Sequence, residues 1–136
     1  MLPENIQLEI VTPERLVVKA TVDDVQIPGS TGYLGILPGH APLITALGVG
    51  EISYRSGAQT KRLSVAWGFA EVLPDKVTIL AETAERSDEI DVARAQAAKQ
   101  RAEDELKKAG PSGDAEAQAA LQRATSRLEV AGKQGS

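Results

Sequence analysis

Near residue 82 the composition of the chain changes: valine, isoleucine, glycine and proline give way to alanine, glutamate, arginine and glutamine. β-Branched residues suit a pleated, half-buried surface, whereas alanine and straight-chain polar residues lose little freedom in a helix. The chain therefore has to place a β unit first and helices second, an α+β order. At 136 residues it has room for one compact core with an appendage, and two full domains would be crowded. The expected extents are 1–86 for the β unit, 87–131 for the helices and 132–136 for a disordered tail.

Within the β unit, "IQLEIV" alternates with Ile6, Leu8 and Ile10 on one face, the period-two pattern of a half-buried strand. Similar short runs recur as "RLVVKATVDDVQIP", "GYLGILP", "LITAL", "EISYR", "KRLSVAWGFAEVL" and "KVTILAE". Between them "TPE", "PGSTG", "LPGHAP", "GVG", "RSGAQ" and "LPD" read as turns or bulges. Many short strands with regular turns predict an antiparallel sandwich or flattened barrel.

Beyond residue 87 the apolar period becomes helical. Ser87 or Asp88 is placed to cap a first helix, with Ala95, Ala98, Ala102 and Leu106 along one stripe. Gly110 and Pro111 stop it, and Asp114 offers the next cap. Ala117, Leu121, Ala124, Leu128 and Ala131 make the second stripe. Two alanine seams joined by a short loop predict an antiparallel hairpin that buries little area and moves against the β unit.

A net charge of −4 and a pI near 5.0 argue against nucleic acid held by an overall basic field. Without cysteine there is no disulfide framework, thiolate metal site or thiol nucleophile. The start, "MLPENIQLEIV", has no basic segment ahead of its apolar residues and does not read as a secretory signal. "ILPGHAPLITALGVG" is too short and too interrupted to span a bilayer, so any membrane link is expected to run through a partner. No GxxxxGK[ST] loop is present, which argues against autonomous ATP hydrolysis. His40, the one histidine, stands between two prolines with no acid beside it, which favours a role in turn shape or contact over catalysis or metal binding. Asp23 and Asp24, adjacent in a strand, point to opposite faces and make no carboxylate pair.

"LEIVTPERLVV", "VDDVQIPGSTGYLGILPGHAPLITALGVGEI" and "LSVAWGFAEVLPDKVTILAETAERSDEID", with the alanine-rich helices after them, resemble the epsilon subunits of rotary F-type ATP synthases over essentially the whole chain. "GYLGILPGHAPLITAL" is the most specific part, because its glycines and prolines impose turns that a generic strand does not need. The resemblance implies a sandwich of about ten strands, a two-helix C-terminal unit and a non-catalytic place in the central rotor stalk. It implies gamma-subunit and c-ring partners for the sandwich, with Tyr33, Leu34, His40 and Ala41 as candidate contacts. It also implies a peripheral position on the cytoplasmic face of a bacterial plasma membrane, or on a thylakoid membrane, engaged only through partner subunits.

Nucleotide-binding members of this family carry an Ile-Asp-x-x-Arg-Ala motif, which Ile90, Asp91, Arg94 and Ala95 match. Glu85, Arg101, Arg123 and Arg127 match further positions of the implied regulatory ATP site. Residues seven apart on a helix share a face roughly 10 Å apart, so arginines from two adjacent helices can converge on a triphosphate. Glu85 and Asp91 would then accept hydrogen bonds from the base or ribose. The competing reading makes Asp91 with Arg94, and Arg101 with Glu105, local ion pairs of little consequence. On the first reading ATP holds the hairpin against the sandwich. Released, it extends toward the catalytic alpha/beta hexamer and presents Lys99, Arg101, Lys107, Lys108, Arg123 and Arg127 to acidic loops, restraining hydrolysis. A rival class, a ligand-binding or enzymatic barrel, needs polar groups inside the barrel, where the strands supply mainly valine, isoleucine and leucine.

Overall fold

Alternation inside the strands builds the core. A computed structural model describes residues 2–110 and 113–133. Strand β1 (Ile6–Val11) buries Ile6, Leu8 and Ile10 completely. The chain continues through β2 (Leu16–Val22), β3 (Asp24–Gly29), β4 (Gly32–Ile36), β5 (Leu43–Ser56), β6 (Gln59–Val72) and β7 (Lys76–Arg86). A short 3-10 turn, Ser87–Glu89, then leads into α1 (Val92–Ala109) and α2 (Ala115–Ala131).

The seven strands form one coiled sheet in the order β2-β1-β7-β6-β5-β3-β4. Its pairs are antiparallel except β1 with β7, which run parallel. The sheet folds over on itself, so that the Asp23 amide donates to the carbonyl of Arg55 at 2.7 Å and the Ser56 hydroxyl to that of Thr21 at 3.1 Å. Ile27, Ile36, Ile52, Leu63, Val65 and Ile79 meet between the two layers, all but excluded from solvent.

Among the described residues the count is seven rather than about ten, because two strands are long. "LITAL" and "EISYR" belong to one 14-residue strand, and "GVG" between them stays in the ladder instead of turning. Gly50 is required there because Tyr33 crosses it: a Cβ would lie 2.5 Å from the tyrosine hydroxyl.

Helix α1 is capped not by Ser87 or Asp88, which lie in the 3-10 turn, but by Asp91, whose carboxylate accepts from the Arg94 amide at 3.0 Å. Asp114 caps α2 as its position in the sequence leads one to expect, accepting from the Ala117 amide at 3.1 Å. Gly110 ends α1 at a φ of 69°; Pro111 and the last three residues of the expected tail lie outside the described residues. The alanine seams are real, with Ala95, Ala102, Ala117 and Ala124 buried where the helices meet. Helix α2 lies on β5 and β6, and α1 packs on α2. This second contact face of α2 buries Ser126 and Val130, which a single-stripe reading leaves out.

Candidate functional site

The hairpin meets the sandwich along the face of β6 that points away from the core. Leu63 and Val65 face inward, while Ser64 and Ala66 on the opposite face are buried under α2. Four consecutive buried residues in a strand follow from this two-sided cover. At its centre the hydroxyls of Ser64 and Ser126 lie 2.8 Å apart, both buried. Glu85 on β7 pairs in register with Ser64, which puts its carboxylate on the same face, where it accepts from Arg127 Nε at 2.5 Å.

One turn earlier on α2, the Arg123 guanidinium stands 5.4 Å from the centre of the Trp67 ring and also donates to Glu116 at 3.1 Å. Trp67 is the one non-glycine among the described residues with a positive φ, 49°. It drops out of both ladders, which pair Ala66 and Gly68 but skip the residue between them. Gly68 beside it has no room for a side chain, since a Cβ would come within 1.9 Å of the Leu80 carbonyl oxygen.

Glu85, Arg123 and Arg127 are thus gathered at the hairpin contact. Arg94 and Arg101, on α1, are exposed and take no part in that cluster; among the described residues neither guanidinium pairs with a carboxylate. Neither local ion pair, Asp91 with Arg94 or Arg101 with Glu105, forms among the described residues; the Asp91 carboxylate instead accepts from the Arg94 backbone amide. Ile90 is half-buried and Ala95 is buried in the helix seam.

The other predicted group behaves differently. Tyr33 is 61% exposed, yet its hydroxyl accepts from the Glu51 amide at 3.0 Å. It lines a cleft of about 340 Å³ with Glu51 on β5 and Ser126, Glu129 and Val130 of the hairpin. Leu34 packs half-buried against the core. His40 Nδ1 lies 2.7 Å from the carbonyl oxygen of Ala41, to which it donates, and Ala41 is exposed.

Two features escape a reading by period alone. A larger cleft of about 560 Å³ at one end of the sandwich is lined by Tyr54, Lys61, Arg62, Arg86, Asp88 and Lys133. Burial pushes the Tyr54 hydroxyl up there, against the opposing pull of Arg86. On the outer face, register aligns Leu16, Val11, Leu80, Phe69 and Ala46 in one row across five strands. Leu16, Leu80 and Phe69 are 52%, 56% and 60% exposed, with Ile44 beside the row at 71%. Among the described residues no group of acids or histidine is arranged to hold a metal ion, and no helix is long and apolar enough to cross a membrane.

Residues 5–87 match the family model for the ATP synthase delta/epsilon chain β-sandwich domain, and residues 88–132 the model for its long α-helix domain. The chain belongs to the ATP synthase epsilon-chain family. An epsilon chain from Koribacter versatilis is 67% identical over 108 residues, 79% of this chain and 76% of the relative. One from Solibacter usitatus is 49% identical over 104 residues, 76% of this chain and 78% of the relative. The fold is also that of a chain in Euglena gracilis mitochondrial ATP synthase (TM-score 0.83, 22% identity, 96% of this chain and 83% of that one). A chain in the central stalk and c-ring structure of the Tetrahymena thermophila mitochondrial enzyme is more distant, at TM-score 0.56 and 13% identity over 96% of each chain. Members of the epsilon-chain family are subunits of the F-type ATP synthase and not its catalytic ones.

Proposed function

We propose that this epsilon chain works in the rotor stalk, where its sandwich joins a gamma subunit to the c-ring and its hairpin acts as an ATP-sensitive restraint on hydrolysis. The observation that carries the restraint is the make-up of the hairpin contact. Each buried alanine methyl contributes about 0.8 kcal/mol, and a hydrogen bond such as Ser64 to Ser126 a net of about 1 kcal/mol. The Glu85 to Arg127 pair, about one third exposed, adds less than about 1 kcal/mol. Such a contact holds the hairpin without locking it.

A ligand that prefers the docked hairpin shifts that balance. At a hundredfold excess over its dissociation constant it contributes about 2.7 kcal/mol, comparable to the whole polar part of the contact. Arg123 and Arg127 at the contact, with Arg94 and Arg101 on α1 paired to no carboxylate among the described residues, supply the positive charges for a triphosphate, and Glu85 beside them is an acceptor for the base or ribose. Undocked, the hairpin offers its lysines and arginines to acidic loops of the catalytic hexamer. In this reading the chain sits on the cytoplasmic side of a bacterial membrane and meets the membrane only through its partners.

The test is nucleotide titration of the purified chain and of its Arg94→Ala and Arg123→Ala variants, paired with hydrolysis by a reconstituted complex containing the chain truncated after Arg86. Binding lost in both variants, with faster hydrolysis in the truncated complex, supports the reading. Unchanged affinity in both variants eliminates the ATP site, and unchanged hydrolysis eliminates the restraint.

A further inference from the structure

A tryptophan held at positive φ in the middle of a strand is strained, because its Cβ crowds the backbone there, and it persists only where its surroundings demand it. Trp67 adopts φ 49° and leaves both ladders of β6. The result is an indole turned to α2, where Arg123 covers it at 5.4 Å. Gly68, with no space for any side chain, leaves the backbone free to make this kink. We infer that Trp67 is a stacking platform for the purine base of the regulatory nucleotide, at present covered by Arg123. The inference rests on the ATP reading above and adds to it the residue that would recognise the base.

The chemistry is an exchange of partners. A guanidinium over an indole is held by a weak attraction, while charge-assisted bonds to phosphate oxygens are considerably stronger. A bound triphosphate therefore draws Arg123 off the ring toward itself, as it also draws Arg127 four residues on, which now holds Glu85. The vacated face is flat, aromatic and at the edge of the hairpin contact. Bases stack on such faces whatever their hydrogen-bonding edges, with an effect of about tenfold in affinity. Phosphates and base are thereby read by different groups, the arginines of the helices and the tryptophan of the sandwich.

The experiment is calorimetric titration of the full chain with ATP and, separately, with inorganic tripolyphosphate, which carries charge but no base. Trp67→Leu is expected to weaken ATP binding about tenfold and leave tripolyphosphate binding unchanged or tighter, because Arg123 loses its competing ring. Trp67→Phe should restore most of the ATP affinity. Trp67→Gly, which suits φ 49° and so guards against misfolding, should behave as Trp67→Leu does. Equal losses for ATP and tripolyphosphate would assign Trp67 to holding the hairpin and overturn the inference. So would full ATP affinity in the leucine and glycine variants, the nucleotide reading then surviving. No ATP binding by the unaltered chain defeats both.

Discussion

Ser64 on β6 and Ser126 on α2, both buried and 62 residues apart in the chain, share a hydrogen bond of 2.8 Å. It is the one direct polar contact between sandwich and hairpin whose two partners are both buried among the described residues. Removing one hydroxyl leaves the other without its partner, at a cost of about 1 to 3 kcal/mol, whereas removing both is nearly neutral. Ser64→Ala and Ser126→Ala should each speed amide exchange in α2, and the double variant should return toward the original rate. Additive effects in that cycle would disprove the coupling.

The Glu85 to Arg127 pair lies partly in solvent and should be worth less than about 1 kcal/mol. Glu85→Gln is expected to raise α2 exchange by no more than about fivefold at low salt, with the difference shrinking at high salt. A salt-independent loss would mean that packing, and not charge, had been disturbed.

Acid acts on the turn before α1. Burial pushes the Glu89 carboxyl up, but the Arg15 guanidinium, the Arg86 amide and the charge of Arg86 outweigh it and hold the group below its ordinary value of 4.5. Since the folded value is the lower one, the stabilisation is complete above 4.5 and is lost as pH falls through the folded value. The 3-10 turn should therefore keep its amide protection from neutrality down to about pH 5 and lose it at lower pH. Glu89→Gln should flatten that acid limb, and a profile matching the unaltered chain would show that other carboxylates govern it.

Gly68→Ala should be among the most damaging single changes in the sandwich. Its Cβ would sit 1.9 Å from a backbone oxygen at a φ of 138°, so the cost should be about 3 kcal/mol or more. A denaturant melt showing less than about 1 kcal/mol would refute the geometry of the kink. The same substitution would also displace Trp67, linking strand shape to the hairpin contact.

The row of Leu16, Leu80 and Phe69 is too apolar and too aligned for an idle surface, and a stalk partner is expected to cover it. Phe69→Ser with Leu80→Ser should leave the melting temperature within a few degrees, because both side chains are more than half exposed. Copurification with a gamma-type subunit should fall at least tenfold, since apolar side chains that become buried at an interface carry much of its affinity. Retained copurification would place the interface on another face.

Much of this could be read from residue order, and the limits have physical causes. Alternation located β1 and β7 because each has one buried face, but the same rule fails for Leu63 to Ala66, which α2 covers on the side away from the core. "GVG" imitates a turn because glycines serve both turns and close crossings, and only the position of Tyr33 decides between them. The family resemblance, and not local pattern, put Glu85 and Arg127 in one candidate site, and their side chains meet at the hairpin contact. Asp91 meets Arg94 through a helix cap, and not through the side-chain pair that their spacing suggests. Nothing in local propensity announces Trp67, whose conformation runs against its residue type.

Every side chain of the main apolar core comes from residues 6–84, and neither helix contributes one. Departure of the helices would uncover Ser64 and Ala66 but leave that core filled, so the grip between the two parts can be loosened or tightened by substitution without emptying the sandwich.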